Sequence, residues 1–459
     1  MSIIQNALSG SLAAQAALNT ASQNIANVMT PGYTRQGVLL VAAKPSQAGS
    51  MGAGDGVKVP ALQRFSDGYK SLQLWNAASE LGQRESVQPY LGQLEQVMGD
   101  EASSLNAGLD QFFGALNAAS VEPTSSPLRR QIVTAADALA QRFNSLHQVL
   151  SNQRASIYQQ RLASVAQINT LSVDIAALNR EISATRASGL NPSGLMDERD
   201  QKIDALAGQV GIQVVEQADG SRNVLLRSGQ PLVVGNAAST IVAQGQPDGT
   251  QKLVLSFASE SFTLATDRLG GPLGGLQDFE QRVLGPLVAS VREMAEAIST
   301  RFNDQLAAGY AMDGSAGAPL FSFDASAADG LLQVDTSLSA DALGFSADPA
   351  QPGNSDNLLE LIELRQQPVT LSSLGDVLLR DAYTQLVGKI GTDSQQNQTA
   401  LKTAQTVRNQ AEESWKSTSG VNSDEEAINL MQYQQMYQAN MKVIAVANQL
   451  FDSTLAMLA

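Results

Sequence analysis

The sequence predicts a mainly α protein with a β-rich middle domain, an α+β chain folded as an elongated nested hairpin. Three observations predict it. The two ends match each other and differ from the middle: no charged side chain precedes Arg35, and after Glu426 the chain carries only Lys442 and Asp452. A single apolar stripe runs from Leu128 to Ile182 in a helix ending near Gly189, roughly 90 Å long at the α-helical rise. Short strand-like runs with hairpin-turn signals cluster between Val210 and Ala265.

The first helix is expected from Ile3 to Val28 or Met29, with Ile4, Ala7, Ala14, Leu18, Ala21, Ile25 and Val28 on one face. Pro31 stops it, and Thr30-Pro31-Gly32-Tyr33 suits a type II turn, with proline fixing φ and glycine supplying φ > 0. Extended pieces from Tyr33 to Ala42 and Val57 to Leu62 flank a Gly- and Ser-rich loop, Gly49 to Gly56. Helical sequence runs from Asp67 to Met98. The long helix then opens with Ser126 as cap and Pro127 in its first turn. Its stripe thins from Ser151 to Gln160, which marks a stutter or a change of packing partner.

The pattern changes near Gln209. Strands are expected at Val210–Glu216, Asn223–Arg227, Leu232–Gly235, Ile241–Ala243, Lys252–Phe257 and Phe262–Ala265, with turns at Asp219-Gly220 and Asp248-Gly249. Gly270 to Gly275 reads as a linker before a helix from Gln277 to Ala308. Gly309 to Ala350 returns to turns with strands at Leu320–Phe323 and Leu331–Val334. Helices follow at Asn357–Arg365, Leu374–Ser417 and Ser423 to near Ala459. Ser423 with Glu426 suits a capping box for the last. Its stripe is Leu430, Tyr433, Tyr437, Ile444, Ala447, Phe451 and Leu458. The two end helices pair as a coiled coil, since one alone cannot hide its apolar face. The domains expected are 1–62 with 415–459 for assembly, 63–208 with 355–414 as a long-helix rod, and 209–354 as a distal β-rich domain carrying helix 277–308.

Composition narrows the function. The chain has 459 residues, a net charge of −15, no cysteine and one histidine. The acidic balance argues against nucleic acid and anionic membrane as partners. Disulfides, thiolate chemistry and Cys-ligated metal are excluded. The first thirty residues hold no Lys or Arg and are interrupted by Gln, Asn, Ser and Thr, unlike a cleaved signal peptide. No segment approaches the roughly 20 apolar residues of a membrane span. The chain is expected to stay cytoplasmic or to leave by a route without signal cleavage.

Ala26-Asn27-Val28-Met29-Thr30-Pro31-Gly32-Tyr33-Thr34-Arg35-Gln36 resembles a motif of the flagellar axial proteins of rod, hook and hook–filament junction. Ser419 to Ala427, Tyr433 to Ala439 and Ala447 to Asp452 resemble their C-terminal signature. The long helix, with Leu195-Met196-Asp197-Glu198-Arg199-Asp200 before the strands, narrows the resemblance to the flagellar hook-associated protein 1 family, the first junction proteins between hook and filament. Met29 stands where the family usually has Asn, and Ser423 where it often has an apolar residue. The chain is short for the family, so a peripheral β domain is expected to be missing or reduced.

The resemblance implies a secreted structural protein of the extracellular flagellum, exported unfolded by the type III apparatus and polymerised through its ends. Implied partners are other copies of itself, hook protein, a second junction protein, an export chaperone and the export apparatus. The motif and the stripes place the assembly interface at Ile4, Leu18, Ile25, Asn27, Pro31, Gly32, Tyr33, Arg35, Leu430, Tyr433, Tyr437, Ile444 and Phe451. Met431, Met436, Met441, Leu450 and Leu455 are the chaperone-binding candidates, methionine being adaptable to successive partners.

Catalytic constellations are weak. His147, beside Leu146 in the long helix, has no second histidine to work with and reads as a surface or packing residue. Asp197, Glu198, Asp200 and Asp204 lack an EF-hand spacing, and Arg199 and Lys202 interleave with them, so they read as a solvated, ion-paired helix face. Leu269 to Gly275 lacks the Gly-Lys-Ser/Thr ending of a phosphate loop. No cofactor, metal or catalytic residue is assigned. The rival readings are another flagellar axial protein, such as hook protein or the second junction protein, a type III secreted coiled-coil effector, and an enzyme hidden in the middle domain.

Overall fold

The computed structural model describes residues 3–44, 54–101, 103–246, 250–265, 268–327, 330–335 and 337–458. Helix α1 (Ile3–Ala26) leads through turns to a hairpin of β1 (Gln36–Ala42) and β2 (Val57–Arg64). The helix stops short of Val28. There the Asn27 amide donates to the Gln23 carbonyl and the Thr30 hydroxyl to Asn27 Oδ1, local bonds that compete with helix continuation. Helix α2 (Gly68–Gly99) is capped by Asp67, whose Oδ1 accepts from the Tyr69 and Lys70 amides at 2.8 and 3.2 Å.

Helix α3 (Leu105–Val121) was not expected from the sequence. Helix α4 (Ser126–Ala187) runs for 62 residues. Ser125 takes its cap position, not Ser126, whose hydroxyl donates instead to Asp341 at 3.1 Å. After α5 (Ser193–Ala207), strands β3 (Ile212–Glu216), β4 (Arg222–Leu226), β5 (Pro231–Val234) and β6 (Ala237–Ala238) form an antiparallel meander, with Val214 opposite Val224. A second sheet holds β7 (Thr240–Gly245), β8 (Gln251–Phe257) and β9 (Glu260–Thr263). Asp219-Gly220 makes the expected turn, with Gly220 at φ 87°. Asp248-Gly249, and 49–53 of the expected loop, lie outside the described residues.

The stretch expected as a linker is helical. Gly270 has φ 62° and Gly271 φ 57°, and α6 (Gly271–Phe279) starts immediately. A Cβ at Gly275 would collide with the Gln83 carbonyl, so this glycine lets α6 lie against the backbone of α2. A π-helical turn, Glu280–Leu284, joins α6 to α7 (Gly285–Ala308) through a bond from the Gly285 amide to the Glu280 carbonyl. Then come β10 (Phe321–Phe323), β11 (Leu332–Val334), α8 (Asp356–Glu363), a small hairpin of β12 (Val369–Leu371) and β13 (Gly375–Val377), α9 (Leu379–Ser419) and α10 (Ser423–Leu458). Leu374, expected to open a helix, lies in the turn of that hairpin. Asn422 caps α10 through Oδ1, accepting from the Asp424 and Glu425 amides at 2.9 and 3.3 Å, and replaces the expected Ser423 cap.

Helix α4 is the spine and serves two cores. Its first half, through Ile157, packs with α3, α7, α8 and the start of α9. From Val165 onward it packs with α5, the first residues of α2 and the two larger sheets. The partner therefore changes close to the thinned stripe. Arg161, 1% exposed, fills the boundary and pairs with Glu280 in the π turn at 2.6 Å, while its other arm meets Gln251 at 2.8 Å. In the first core, Phe112, Phe113, Phe302 and Phe321 meet edge-on or tilted at 5.0 to 6.1 Å between centroids. Phe112 is 0% exposed and stands at the centre of this group. Phe112→Ala is expected to cost about 3–5 kcal/mol of stability, checked by urea denaturation followed by circular dichroism.

Candidate assembly interface

Helix α1 buries small side chains: Ala7, Ser11, Ala13, Ala14, Ala17, Thr20, Ala21 and Asn24. Small residues let α10 and the β1–β2 hairpin approach its backbone closely. A Cβ on Gly10 would sit 2.5 Å from Asn440 Oδ1 of α10. Along α10 Asn429, Leu430, Tyr433, Met436, Tyr437, Asn440, Ile444 and Ala447 are half-buried, and six of them, Leu430, Tyr433, Tyr437, Asn440, Ile444 and Ala447, form one row. Their alternating three- and four-residue spacing is a coiled-coil seam. Of the expected interface residues on α1, Ile4, Leu18 and Ile25 are half-buried at the margins of this pairing.

Much apolar surface is left over. Glu426 is the only buried residue of α10 among the described residues. Met431, Met441, Leu450 and Leu455 are 55%, 44%, 58% and 52% exposed. Phe451, expected on the seam, instead lies open to solvent with Ile428, Val443 and Val446. On α1, Ile3, Leu8 and Leu12 are exposed, as is Met29 beyond its end. Met436 alone of the chaperone candidates is half-buried.

The turn after α1 docks this pair onto the rod. The Tyr33 amide donates to the Thr30 carbonyl at 3.2 Å and Gly32 has φ 72°, the expected type II turn. Gln201 of α5 donates to the Pro31 carbonyl, and a Cβ at Gly32 would collide with that side chain. Pro31 is exposed, whereas Asn27, Gly32, Tyr33 and Arg35 are half-buried. Asn24 organises the turn from within α1. Its Oδ1 accepts from the Gln36 amide at 3.1 Å and the Tyr33 hydroxyl at 2.9 Å, and its Nδ2 donates to the Gln36 carbonyl at 2.8 Å. Burial, with Asp197 and Glu426 nearby, pushes the Tyr33 hydroxyl up to about 12, so it stays a donor at neutral pH.

Arg35 joins three segments. Its amide donates to Ser419 at the end of α9, and its carbonyl accepts from Phe65. Its guanidinium lies 4.5 Å from the Phe65 ring centroid and pairs with Glu425 at 2.6 Å. Glu425 is 58% exposed at its side chain, so this pair contributes about 1 kcal/mol at most and chiefly fixes geometry.

Beneath the turn lies a buried ionic network. Arg64 of β2 reaches Asp197 at 2.7 Å and Asp200 at 2.9 Å, and also donates to the Thr34 hydroxyl. Asp197 accepts from the Thr34 amide. Asp200 is shared with Arg222 of β4 at 2.5 Å and with Arg199 at 3.3 Å. Burial alone would raise the Asp200 carboxyl, but Arg222, Arg64 and Arg199 outweigh it and hold it below its usual value. At Asp197 burial prevails over Arg64 and the carboxyl is raised. Burial lowers Arg199 to about 10 despite Asp200. The acidic stretch is therefore ion-paired as expected but not a solvated face. Only Glu198 is exposed, and Asp204 crosses to Arg408 of α9 through two bonds. The sequence reading missed Asn24, Thr34, Arg64 and Gln201. Asn24 carried a signal, being a polar residue in phase with Ala21 on the buried stripe.

Among the described residues no three His, Cys, Asp or Glu side chains converge as a metal site, and no helix is long and apolar enough to cross a membrane. Comparison with known proteins matches residues 91–321 to the family model of the flagellar hook-associated protein FlgK helical domain. Residues 4–34 match the flagella basal body rod protein family, and 417–457 the C-terminal family of flagellar basal body rod FlgEFG proteins. Flagellar hook-associated protein 1 of Salmonella typhimurium is 28% identical, with 99% of each chain covered. The Bacillus subtilis protein of that name is 25% identical over 96% of this chain and 95% of its own. The alignment with the Salmonella protein spans 551 positions against 459 residues here, so that relative carries additional sequence. The solved flagellar hook junction protein FlgK of Burkholderia pseudomallei, 17% identical, shares the fold with a TM-score of 0.67 over 75% of this chain and 99% of its own.

Asp200→Asn is expected to cost about 3 kcal/mol, because it leaves buried guanidinium groups without their shared partner. The sign follows from the lowered folded-state value: the contribution is present above the usual carboxylate range and lost as pH falls through the lower folded value. Urea denaturation at neutral pH should show the full gap between the proteins, and acid below the usual carboxylate range should narrow it.

Proposed function

Because this chain belongs to the family of the flagellar hook-associated protein FlgK, a structural component of the hook–filament junction in the extracellular flagellum, we propose that it polymerises there through the uncovered faces of α1 and α10. The observation that carries this reading is the apolar surface that pairing leaves open. Phe451 is 64% exposed and Leu450 58%; α1 has no charged residue, and α10 beyond its acidic first turn carries only Lys442 and Asp452. Uncharged polar neighbours lower the desolvation cost of burying such faces against further chains.

The proposed neighbours are copies of the same chain laterally, hook protein on one side and the second junction protein on the other. The Pro31–Arg35 turn and its network set the angle between the paired ends and the rod. The proposed division assigns 1–62 with 415–459 to assembly, 63–208 with 355–414 to the rod, and 209–354 to the outer portion, which joins the two cores along α4. The relatives are structural flagellar proteins and the assembly reading invokes no catalysis.

Secretion through the type III export apparatus, in an unfolded state, is part of the same proposal. An export chaperone would take the C-terminal segment first. Met431, Met441, Leu450 and Leu455 are open to it, whereas Met436 is half-buried.

Phe451→Asp places a charge on an open surface, so the isolated protein should keep its wild-type urea midpoint. In cells lacking the native gene, it is expected to leave bare hooks and shed flagellin into the medium, seen by electron microscopy and immunoblotting. Ile25→Asp, at the margin of the seam, should give the same cellular result. Normal filaments with either variant would count against assembly through these faces.

A further inference from the structure

We propose that a cleft between α4 and α7, far along the chain from the assembly ends, binds a small oxyanion of the carboxylate or phosphate class. His147, Ser151, Arg154 and Tyr158 follow one another on α4 at intervals of four, three and four residues, so they share one helix face. Val288 and Arg292 of α7 lie across from them, and Ala325–Ala327 close one side of a space of about 460 Å³.

Among the described residues the lining is cationic without a matching acid. In a chain of net charge −15, neither Arg154 nor Arg292 makes an ion pair among the described residues. Asp324, next to the closing loop, is engaged by the Ser326 amide and hydroxyl at 2.8 and 2.6 Å. His147 is only 9% exposed, yet its Nδ1 is buried with no partner, and so is Nε of Arg154. Buried nitrogens without partners are costly, and a side-chain shift that opens them to an acceptor in the cleft removes that cost. A carboxylate or phosphate offers several acceptor atoms and a charge suited to the planar fork of arginine. Burial first, then Arg292 and Arg154, hold His147 below its usual value. Its ring is thus mainly neutral at neutral pH and able to donate one N–H without adding a third full charge.

The single histidine is its own probe. The full-length protein, carrying histidine labelled with ¹³C at the ring ε1 position, would be titrated with sodium phosphate and with sodium acetate. Sodium chloride at matched ionic strength is the control. The expected result is a saturable shift of the one ring resonance with phosphate, acetate or both, and none with chloride. Whichever anion acts at lower concentration identifies the group preferred. Arg292→Gln, at an exposed position that leaves the fold intact, and Arg154→Gln should each weaken the midpoint roughly tenfold, the loss of one charge-assisted bond. A shift that tracks ionic strength alone, or a saturable shift unchanged in both variants, would overturn the site.

Discussion

Asp200 lies within ion-pair distance of three guanidinium groups, those of Arg64, Arg199 and Arg222, and the architecture of the assembly end depends on that one carboxylate. The three cations come from the terminal hairpin, from α5 and from the first strand meander. None would tolerate the others at such depth without a shared counter-ion. Asp197 adds a second anion and uses it on the Thr34 amide, beside the Pro-Gly turn. The N-terminal hairpin, α5 and a sheet thus meet at a point where geometry is fixed by charge. An apolar contact of equal area would hold them together but would allow them to slide. For a subunit whose paired ends must present the same face in every copy, that distinction matters.

The rod solves a different problem. A 62-residue helix cannot stay buried against a single partner, and α4 changes partners where its apolar stripe fails. The exchange point is polar: Gln153 and Arg161 are both buried there. Arg161 takes its counter-ion from Glu280 in the π turn. The π turn widens the helix by one residue, and the 2.6 Å pair shows that this places the Glu280 carboxylate within reach of α4. An irregularity in one helix therefore answers a gap in the stripe of another.

What the sequence revealed follows the same division. Features set by local chemistry were legible: α1, the Thr30–Tyr33 turn, most of α4, the strand runs and α10. Those set by distant partners were not. Arg64 meets Asp200 across 136 residues, and nothing near either residue announces the other, so the acidic stretch of α5 read as solvated. Helix α3 carries Gly108 and Gly114, which weaken its intrinsic propensity, and it is held by burial of Leu105, Leu109, Phe112 and Leu116. The three-residue strands of the Val369–Val377 hairpin are too short to show alternation. The α10 cap missed by one residue, because Asn422 and Ser423 both suit the position and only geometry chooses. At the candidate interface, the Thr30–Tyr33 motif falls where the chain makes a type II turn, while Phe451, placed on the seam from its spacing, lies outside it.

That displacement of Phe451 bears on how one chain serves both as a free subunit and as part of a polymer. The seam between α1 and α10 is built from alanine, serine, threonine, asparagine and tyrosine more than from leucine. Each such contact releases less free energy on burial than a large apolar side chain would. The larger apolar groups, Leu450, Phe451, Leu455 and Met457, are held outside the pair, where a further chain would cover them in the proposed assembly. Assembly then contributes the burial that the monomer lacks. Such a subunit is expected to order its ends fully only in the structure it builds, because the side chains with most to gain from burial find no cover within a single copy.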